Sequence, residues 1–204
     1  MALGTAQQEV LRYTSFAHQV RVAKQLGVSS VLQIGVFSGE VTALLQNASI
    51  SVSTLDVDAL KRPDTVLDVR ELSAYSAKRY PLVICSRILT LFSKRDVREV
   101  LYSLYNVTTK YVLISLPAKY FFVDVQVSSL LLEKLLGSSP ACFSARIPFF
   151  FSHKPYQKYS WMLGTRGCSR KWFFELVTEA GFVVEEAFFS RSDVLEYFIL
   201  LTKE

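Results

Sequence analysis

Apolar positions along this chain recur with two periods, and the switches between them mark its elements. From Thr5 to Leu26, Val10, Leu11, Phe16, Val20, Ala23 and Leu26 fall at roughly helical spacing, and Gly27 closes the pattern as a C-terminal cap. One or two helices are expected there, packed on a sheet. The run Val31, Leu32, Ile34 suits a strand buried on both faces. It breaks at Gly35 and Gly39, which permit the positive φ angles of a tight strand-to-helix turn, and Val41, Leu44 and Leu45 resume on one helix face. From Ser51 to Asp58 the chain reads as a second strand ending in acids, and from Thr65 to Val69 as a short third. A weak helix or turn is expected from Glu71 to Ala77, then a fully apolar strand from Pro81 to Cys85. Lys94 to Tyr105 is amphipathic, with Val97, Val100, Leu101 and Leu104 on one stripe, and Tyr111 to Ser115 is a further strand.

Beyond Pro117 the periods blur. Tyr120 to Val127 is aromatic and β-branched, Ser128 to Leu136 is leucine-rich and reads as helical, and the run from Ile147 to Ser152 fits no single element. Arg170 to Ala180 reads as a helix closed by Gly181. The strands Phe182 to Ala187 and Glu196 to Thr202 follow, joined by a polar turn at Arg191 to Asp193. Alternating strands and helices predict an α/β fold, a Rossmann-like, doubly wound, mostly parallel sheet with a C-terminal antiparallel hairpin on one edge. The expected organisation is one domain over residues 1–204, with an N-terminal helical segment (1–27) and a basic, aromatic insertion (118–170).

Composition narrows the class. A chain of 204 residues buries roughly 70% of its unfolded surface, and 50% hydrophobic with 20% charged residues excludes disorder. Mean hydropathy is +0.27, yet Asp124, Glu133 and Lys134 interrupt the greasiest region, so no window is expected to span a bilayer. The start, MALGTAQQEV, lacks the basic and apolar regions of a signal peptide, which points to the cytoplasm. Cys85, Cys142 and Cys168 have no C-x-x-C spacing and read as buried or neutral thiols rather than a zinc site. The formal charge of +5 has one source: from Lys134 to Phe174 there are seven basic residues and no acid. The other 16 bases (23 minus 7) face 18 acids, a net of −2.

Several residues carry candidate chemistry. Gly35 and Gly39 form a turn suited to a phosphate or nucleoside, although Phe37 stands where a dinucleotide fingerprint would place its middle glycine. Asp56 ends the second strand about where a Rossmann acid meets a ribose diol, and is favoured over Asp58. Asp68 follows the next strand, where it could accept from an exocyclic amine. His18 and His153 are isolated from other ligating residues and read as structural or surface histidines, and no metal site is expected. Neither a Walker loop nor a Ser/His/Asp signature occurs.

These residues together resemble the class I S-adenosylmethionine-dependent methyltransferases. VLQIGVFSGEVTALL is similar to that family's E/D-x-G-x-G-x-G loop, STLDVD to its ribose-binding acid, TVLDVREL to its adenine-contacting aspartate, and YPLVICSRILTLF to its fourth strand. YSWMLGTRGCSRKWF is similar to a W-E-I-G-x-x-G-[YF]-S stretch of some small methyltransferase-like proteins. The resemblance implies S-adenosylmethionine as cofactor, with contacts at Gln33, Gly35, Phe37, Gly39, Asp56, Val57, Asp68, Val69 and Ser86. The basic, aromatic segment 118–170 is the expected acceptor side, with Lys158, Tyr159, Trp161 and Arg166 as candidate contacts. Such a reaction depends mainly on aligning nucleophile, methyl and leaving sulfur, and no catalytic base is identified.

The chain also departs from that pattern. Gln33 stands where the loop's first acid is usual, Phe37 at its middle glycine, Pro81 at a common Asp, Thr90-Leu91 at a frequent Glu-His, and Met162 at the Glu of the W-E-I-G stretch. These departures motivate an alternative, a non-catalytic binding or partner subunit on the same fold. Tyr156, Tyr159 and Trp161 interleaved with Lys154, Lys158 and Arg166 could instead stack on and neutralise RNA, cover a small anionic acceptor, or form a solvated loop. The Phe149 to Phe151 run leaves room for a homodimer or peripheral membrane contact.

Overall fold

The computed structural model describes residues 5–72, 79–127, 141–148, 158–190 and 196–203. A single helix, α1 (Thr5–Gln25), precedes β1 (Ser30–Ile34), α2 (Glu40–Asn47), β2 (Ser51–Asp56), β3 (Thr65–Val66) and β4 (Tyr80–Ser86). Then come α3 (Lys94–Val107), β5 (Thr108–Pro117), β6 (Tyr120–Val127), β7 (Ala141–Pro148), α4 (Arg170–Glu179), β8 (Phe182–Phe189) and β9 (Glu196–Lys203). Local chemistry sets several boundaries. Ser93 and Ser169 cap α3 and α4 by accepting the N–H groups of Asp96 and Trp172. Gly27 and Gly181, both at positive φ, follow α1 and α4.

Seven strands form one sheet in the order β3-β2-β1-β4-β5-β9-β8. β1 to β5 run parallel and β9 runs antiparallel to both neighbours, so the two last strands are the expected edge hairpin. Alternation along the central strands feeds two cores. Leu32, Val83, Cys85, Val112 and Ile114 join α3 and α4 on one face, while Val31, Leu82, Ile84 and Leu113 join α1 and α2 on the other. Burial on both faces explains why these strands read as continuous apolar runs. The order reverses between β1 and β4, and the crevice at their carboxyl ends is the place where such sheets bind ligands.

The differences from the sequence reading are local. The third strand stops at Val66, because Asp68 caps a 3-10 turn at Val69–Glu71 instead of continuing the ladder. The aromatic stretch from Tyr120 pairs with β7 in a separate two-stranded sheet, a pairing that the blurred periodicity does not predict. The leucine-rich segment 128–136, the phenylalanine run 149–151, His153 and the turn at 191–193 lie outside the described residues, as does most of 71–77.

Candidate functional site

The β1 carboxyl end becomes a loop because three alternate residues take left-handed backbone: Gly35 at φ 85°, Phe37 at 52° and Gly39 at 86°. The loop therefore adopts a glycine-motif conformation even with phenylalanine at its centre, at a cost of about 1–2 kcal/mol for a non-glycine residue there. Phe37 is 56% exposed and lies under the Arg12 guanidinium of α1, 5.4 Å from its ring centroid. At Gly35 space is also short, since a Cβ would stand 2.7 Å from Ile88 Cδ1.

Buried Gln33 shows what an amide does in place of the usual acid. Its Nε2 donates to the Gly35 carbonyl at 3.1 Å and its Oε1 accepts from Thr42 Oγ1 at 2.9 Å, tying loop and α2 together. A carboxylate could make only the second bond. Asp56, at the end of β2, holds the same loop from the other side. Its Oδ2 accepts the Val36 N–H at 2.8 Å and its Oδ1 the Asp58 N–H at 3.0 Å, while the Gly35 N–H donates to the Leu55 carbonyl at 2.7 Å. Each carboxylate oxygen keeps a second lone pair. Asp58 caps the following 3-10 turn through the Leu60 N–H.

Asp68 is engaged by its neighbour. Arg70 Nε and a terminal nitrogen donate to its two oxygens at 3.0 and 2.6 Å, and the guanidinium lies over the Phe92 ring. These hydrogen bonds hold the Asp68 carboxyl below its ordinary range. At the end of β4, Ser86 Oγ shares a 2.7 Å hydrogen bond with Ser115 Oγ and receives a weak one from buried Gln19 of α1. Next comes Arg87, itself at positive φ, whose Nε donates at 3.0 Å to the fully buried carboxylate of Glu196 on β9. Glu196 Oε2 and His18 Nε2 are buried without a hydrogen-bond partner among the described residues. Burial, with Arg21 nearby, holds the His18 imidazole below its ordinary value. Burial also pushes the Cys85 thiol up to about 12, which removes it as a nucleophile.

A strap at Lys158–Thr165 crosses the ends of β4 and β5. Ser160 donates from N to the Thr90 carbonyl at 2.8 Å and from Oγ to the Leu91 carbonyl at 3.1 Å, and Leu163 exchanges backbone bonds with Pro117 and Lys119. Together these parts enclose a cavity of about 910 Å³.

The structure brings Gln33, Gly35, Phe37, Asp56, Val57, Asp68, Val69, Ser86, Lys158 and Tyr159 to that cavity. It does not bring Gly39, Trp161 or Arg166. Gly39 is the N-cap of α2, and Arg166 is exposed on a turn. Trp161 is buried edge-on to Trp172 at 5.1 Å, because the strap turns it into the core beneath α4. Sequence reasoning missed the α1 wall of Leu11, Arg12, Ser15, Phe16 and Gln19. The signal was Ser15 and Gln19, polar residues four apart on a face otherwise read as packing. Arg87 and Glu196 were also missed, being 109 residues apart. Among the described residues no group of three or more His, Cys, Asp or Glu is placed to hold a metal, and no helix is long and apolar enough to cross a membrane.

No family model matches the chain, and no curated protein sequence matches it. Solved structures do. The chain is similar to magnesium protoporphyrin IX methyltransferase (ChlM) from Synechocystis PCC 6803 with bound SAH, at 12% identity and a TM-score of 0.66 over 100% of this chain and 90% of that one. It is also similar to the glycopeptide N-methyltransferase MtfA, at 14% identity and a TM-score of 0.58 over 91% and 95% of the two chains. The N-methyltransferase NodS from Bradyrhizobium japonicum WM9, in complex with S-adenosyl-L-homocysteine, aligns at 12% identity and a TM-score of 0.54 over 92% and 86%. At these identities the likeness concerns the fold, and the fold of this chain is that of the class I methyltransferases.

Proposed function

We propose that the chain, as one domain, binds S-adenosylmethionine in this cavity and transfers its methyl group to an acceptor entering from the strap side. The carrying observation is the glycine loop held open-faced between Gln33 and Asp56 at the reversal point of the sheet. The residues suit that ligand. The cavity wall from β1 to β3 bears Glu40, Asp56, Asp58 and Asp68, an acidic surround favourable to a sulfonium and an ammonium, and its volume accommodates a nucleoside with an amino-acid tail. Asp56 has lone pairs left to accept from a ribose diol while its other bonds fix the loop. Val57 and buried Val69 offer apolar surface beside the two acids for a purine ring.

When bound, S-adenosylmethionine supplies an activated methyl on a sulfonium, and the protein's contribution is alignment. Ser86 and Gln19 form a polar floor at the end of β4, and Tyr159 and Met162 on the strap exclude water above it. Arg12, Arg87 and Lys158 make the other wall basic, which supports an acceptor carrying negative charge, whether a small molecule or a macromolecule such as RNA.

A second reading is favoured by Asp68, whose oxygens already pair with Arg70, and by Phe37 at the loop centre. On that reading the fold serves as a non-catalytic partner subunit. Calorimetry with S-adenosylhomocysteine separates the two. Saturable one-to-one binding is expected, and absence of heat from folded protein at millimolar ligand would leave only the second reading.

A further inference from the structure

Three segments far apart in the sequence meet beside the mouth of the cavity. The strap is bonded through Ser160 to Thr90 and Leu91, just before α3. The start of α3 in turn holds the turn before α4: Lys94 Nζ donates to the Gly167 carbonyl at 2.8 Å and lies 5.3 Å from the Trp172 ring centroid. Backbone bonds from Gly164 to Cys168 and from Cys168 to Thr165 fold that turn tightly, with Arg166 exposed between them. Arg170 and Lys171 follow, also exposed, in the first turn of α4.

This meeting concentrates one sign of charge. The stretches Lys94–Asp96 and Lys158–Lys171 hold six bases, all exposed, against one acid, Asp96. Lys94 is held by a carbonyl and a ring, and neither cancels its charge. Lys171 has Glu175 only at 4.0 Å, between side chains that are both mostly exposed. Like charges gathered in this way repel one another, and an anion from outside relieves that repulsion. On another side of the same cavity stands Phe37, 56% exposed at a left-handed φ of 52°, with the Arg12 guanidinium over its ring. The mouth therefore offers cations on its strap side and an exposed ring on the loop side.

We infer that this surface binds single-stranded nucleic acid: phosphates lie against Lys158, Arg166, Arg170 and Lys171, and one base stacks on Phe37 at the cavity mouth. Such a strand carries repeated phosphates and π-faced bases together, and grooves that bind it combine cations with aromatic rings. An acidic peptide matches the cations but leaves an exposed ring at a strained φ without a purpose. Asp56, Asp58 and Glu40 line the cavity on its β1–β2 side and repel phosphate, so the backbone stays with the strap and a base faces inward. Only the strand's role as methyl acceptor rests on the function proposed above; the binding stands without it.

Fluorescence anisotropy with labelled oligouridylate and oligothymidylate of about 20 nucleotides, within the range of single-strand site sizes, tests this without cofactor. Calorimetry with S-adenosylhomocysteine tests the methyl-transfer reading separately. Four phosphate contacts predict that log K falls against log salt with a slope of about −3. The Arg166→Gln/Arg170→Gln/Lys171→Gln protein should bind at least about tenfold more weakly, with a slope near about −1. Phe37→Ala should weaken binding by about fivefold or more and leave the slope unchanged. Tighter binding of one strand tells RNA from DNA as the source and supports the proposal in either case. Should the triple variant not fold, the wild-type slope and Phe37→Ala decide. No binding of either strand, a wild-type slope shallower than about −1, undiminished binding by the triple variant or by Phe37→Ala, or equal displacement by polyglutamate of the same charge overturns the proposal.

Discussion

The two walls of the cavity are built on different principles. The β1–β2 wall is local: the Gly35 N–H bonds the Leu55 carbonyl and the Val36 N–H the Asp56 carboxylate, within about one βαβ unit. The opposite wall is assembled from afar. It joins the α1 stripe, Arg87 with Glu196 from the last strand, and a strap anchored to the turn after β4. The first wall takes left-handed backbone at Phe37 as it does at Gly35 and Gly39, so the loop geometry there tolerates a side chain at its centre. The second wall depends on long-range contacts, the Arg87–Glu196 side-chain pair and the strap's backbone bonds to Thr90, Pro117 and Lys119.

That contrast can be broken most forcefully on the long-range side. Arg87→Met leaves the fully buried Glu196 carboxylate without its cation, and an uncompensated buried charge of this kind costs about 3 kcal/mol or more. Urea denaturation should show the loss. A change under about 1 kcal/mol would mean that Glu196 finds another partner and that the wall is less dependent on this pair.

On the local side the larger effect is expected at Gly35. Alanine there meets both a positive φ and Ile88 Cδ1 at 2.7 Å, and a loss of about 1–3 kcal/mol follows. Because Ile88 is a flexible side chain, the double change Gly35→Ala/Ile88→Val should recover part of it, leaving the backbone term.

The Asp68–Arg70 pair is smaller. A carboxyl held below its usual value stabilises the fold at pH above the unfolded value near 4, and that contribution disappears as pH falls through the lowered folded value. Arg70→Ala should therefore reduce stability more at neutral pH than at the lowest pH, where only its contact with the Phe92 ring is lost. Thermal melts across the acid range would show it.

Phe37→Gly should matter least to stability. Relief of left-handed strain offsets the lost Arg12 contact, worth about 0.5–1 kcal/mol, and the greater freedom of the unfolded chain. A melting temperature within a few degrees of wild type is expected. A large loss would show that Phe37 is part of the packed structure and not a tolerated guest.

The same contrast explains what was legible in the sequence. The parallel strands could be read because Leu82 to Cys85 and Val112 to Ile114 are apolar on both faces, and the loop because Gly35, Gly39 and Asp56 keep a fixed spacing. Trp161 could not be placed. Aromatic residues among lysines fit stacking on a ligand and burial under a helix equally well, and the bonds from Ser160 to Thr90 and Leu91 and from Leu163 to Pro117 decide which way the strap turns. The α1 wall was hidden because its apolar stripe serves the core and the cavity at once. β6 and β7 were obscure since one set of ribbon positions is apolar from end to end, without, among the described residues, the covering element that a sequence pattern presupposes.

The central claim rests on Asp56, which fixes the glycine loop and is proposed to meet the nucleoside, while the carboxylate of Asp58 is engaged in capping the next turn. Calorimetry of S-adenosylhomocysteine with wild type, Asp56→Ala and Asp58→Ala tests it directly. Loss of a charge-assisted hydrogen bond pair predicts at least about a tenfold weaker Kd for Asp56→Ala and a near-wild-type Kd for Asp58→Ala. Equal affinities across the three proteins, or no binding by any of them, would contradict the account.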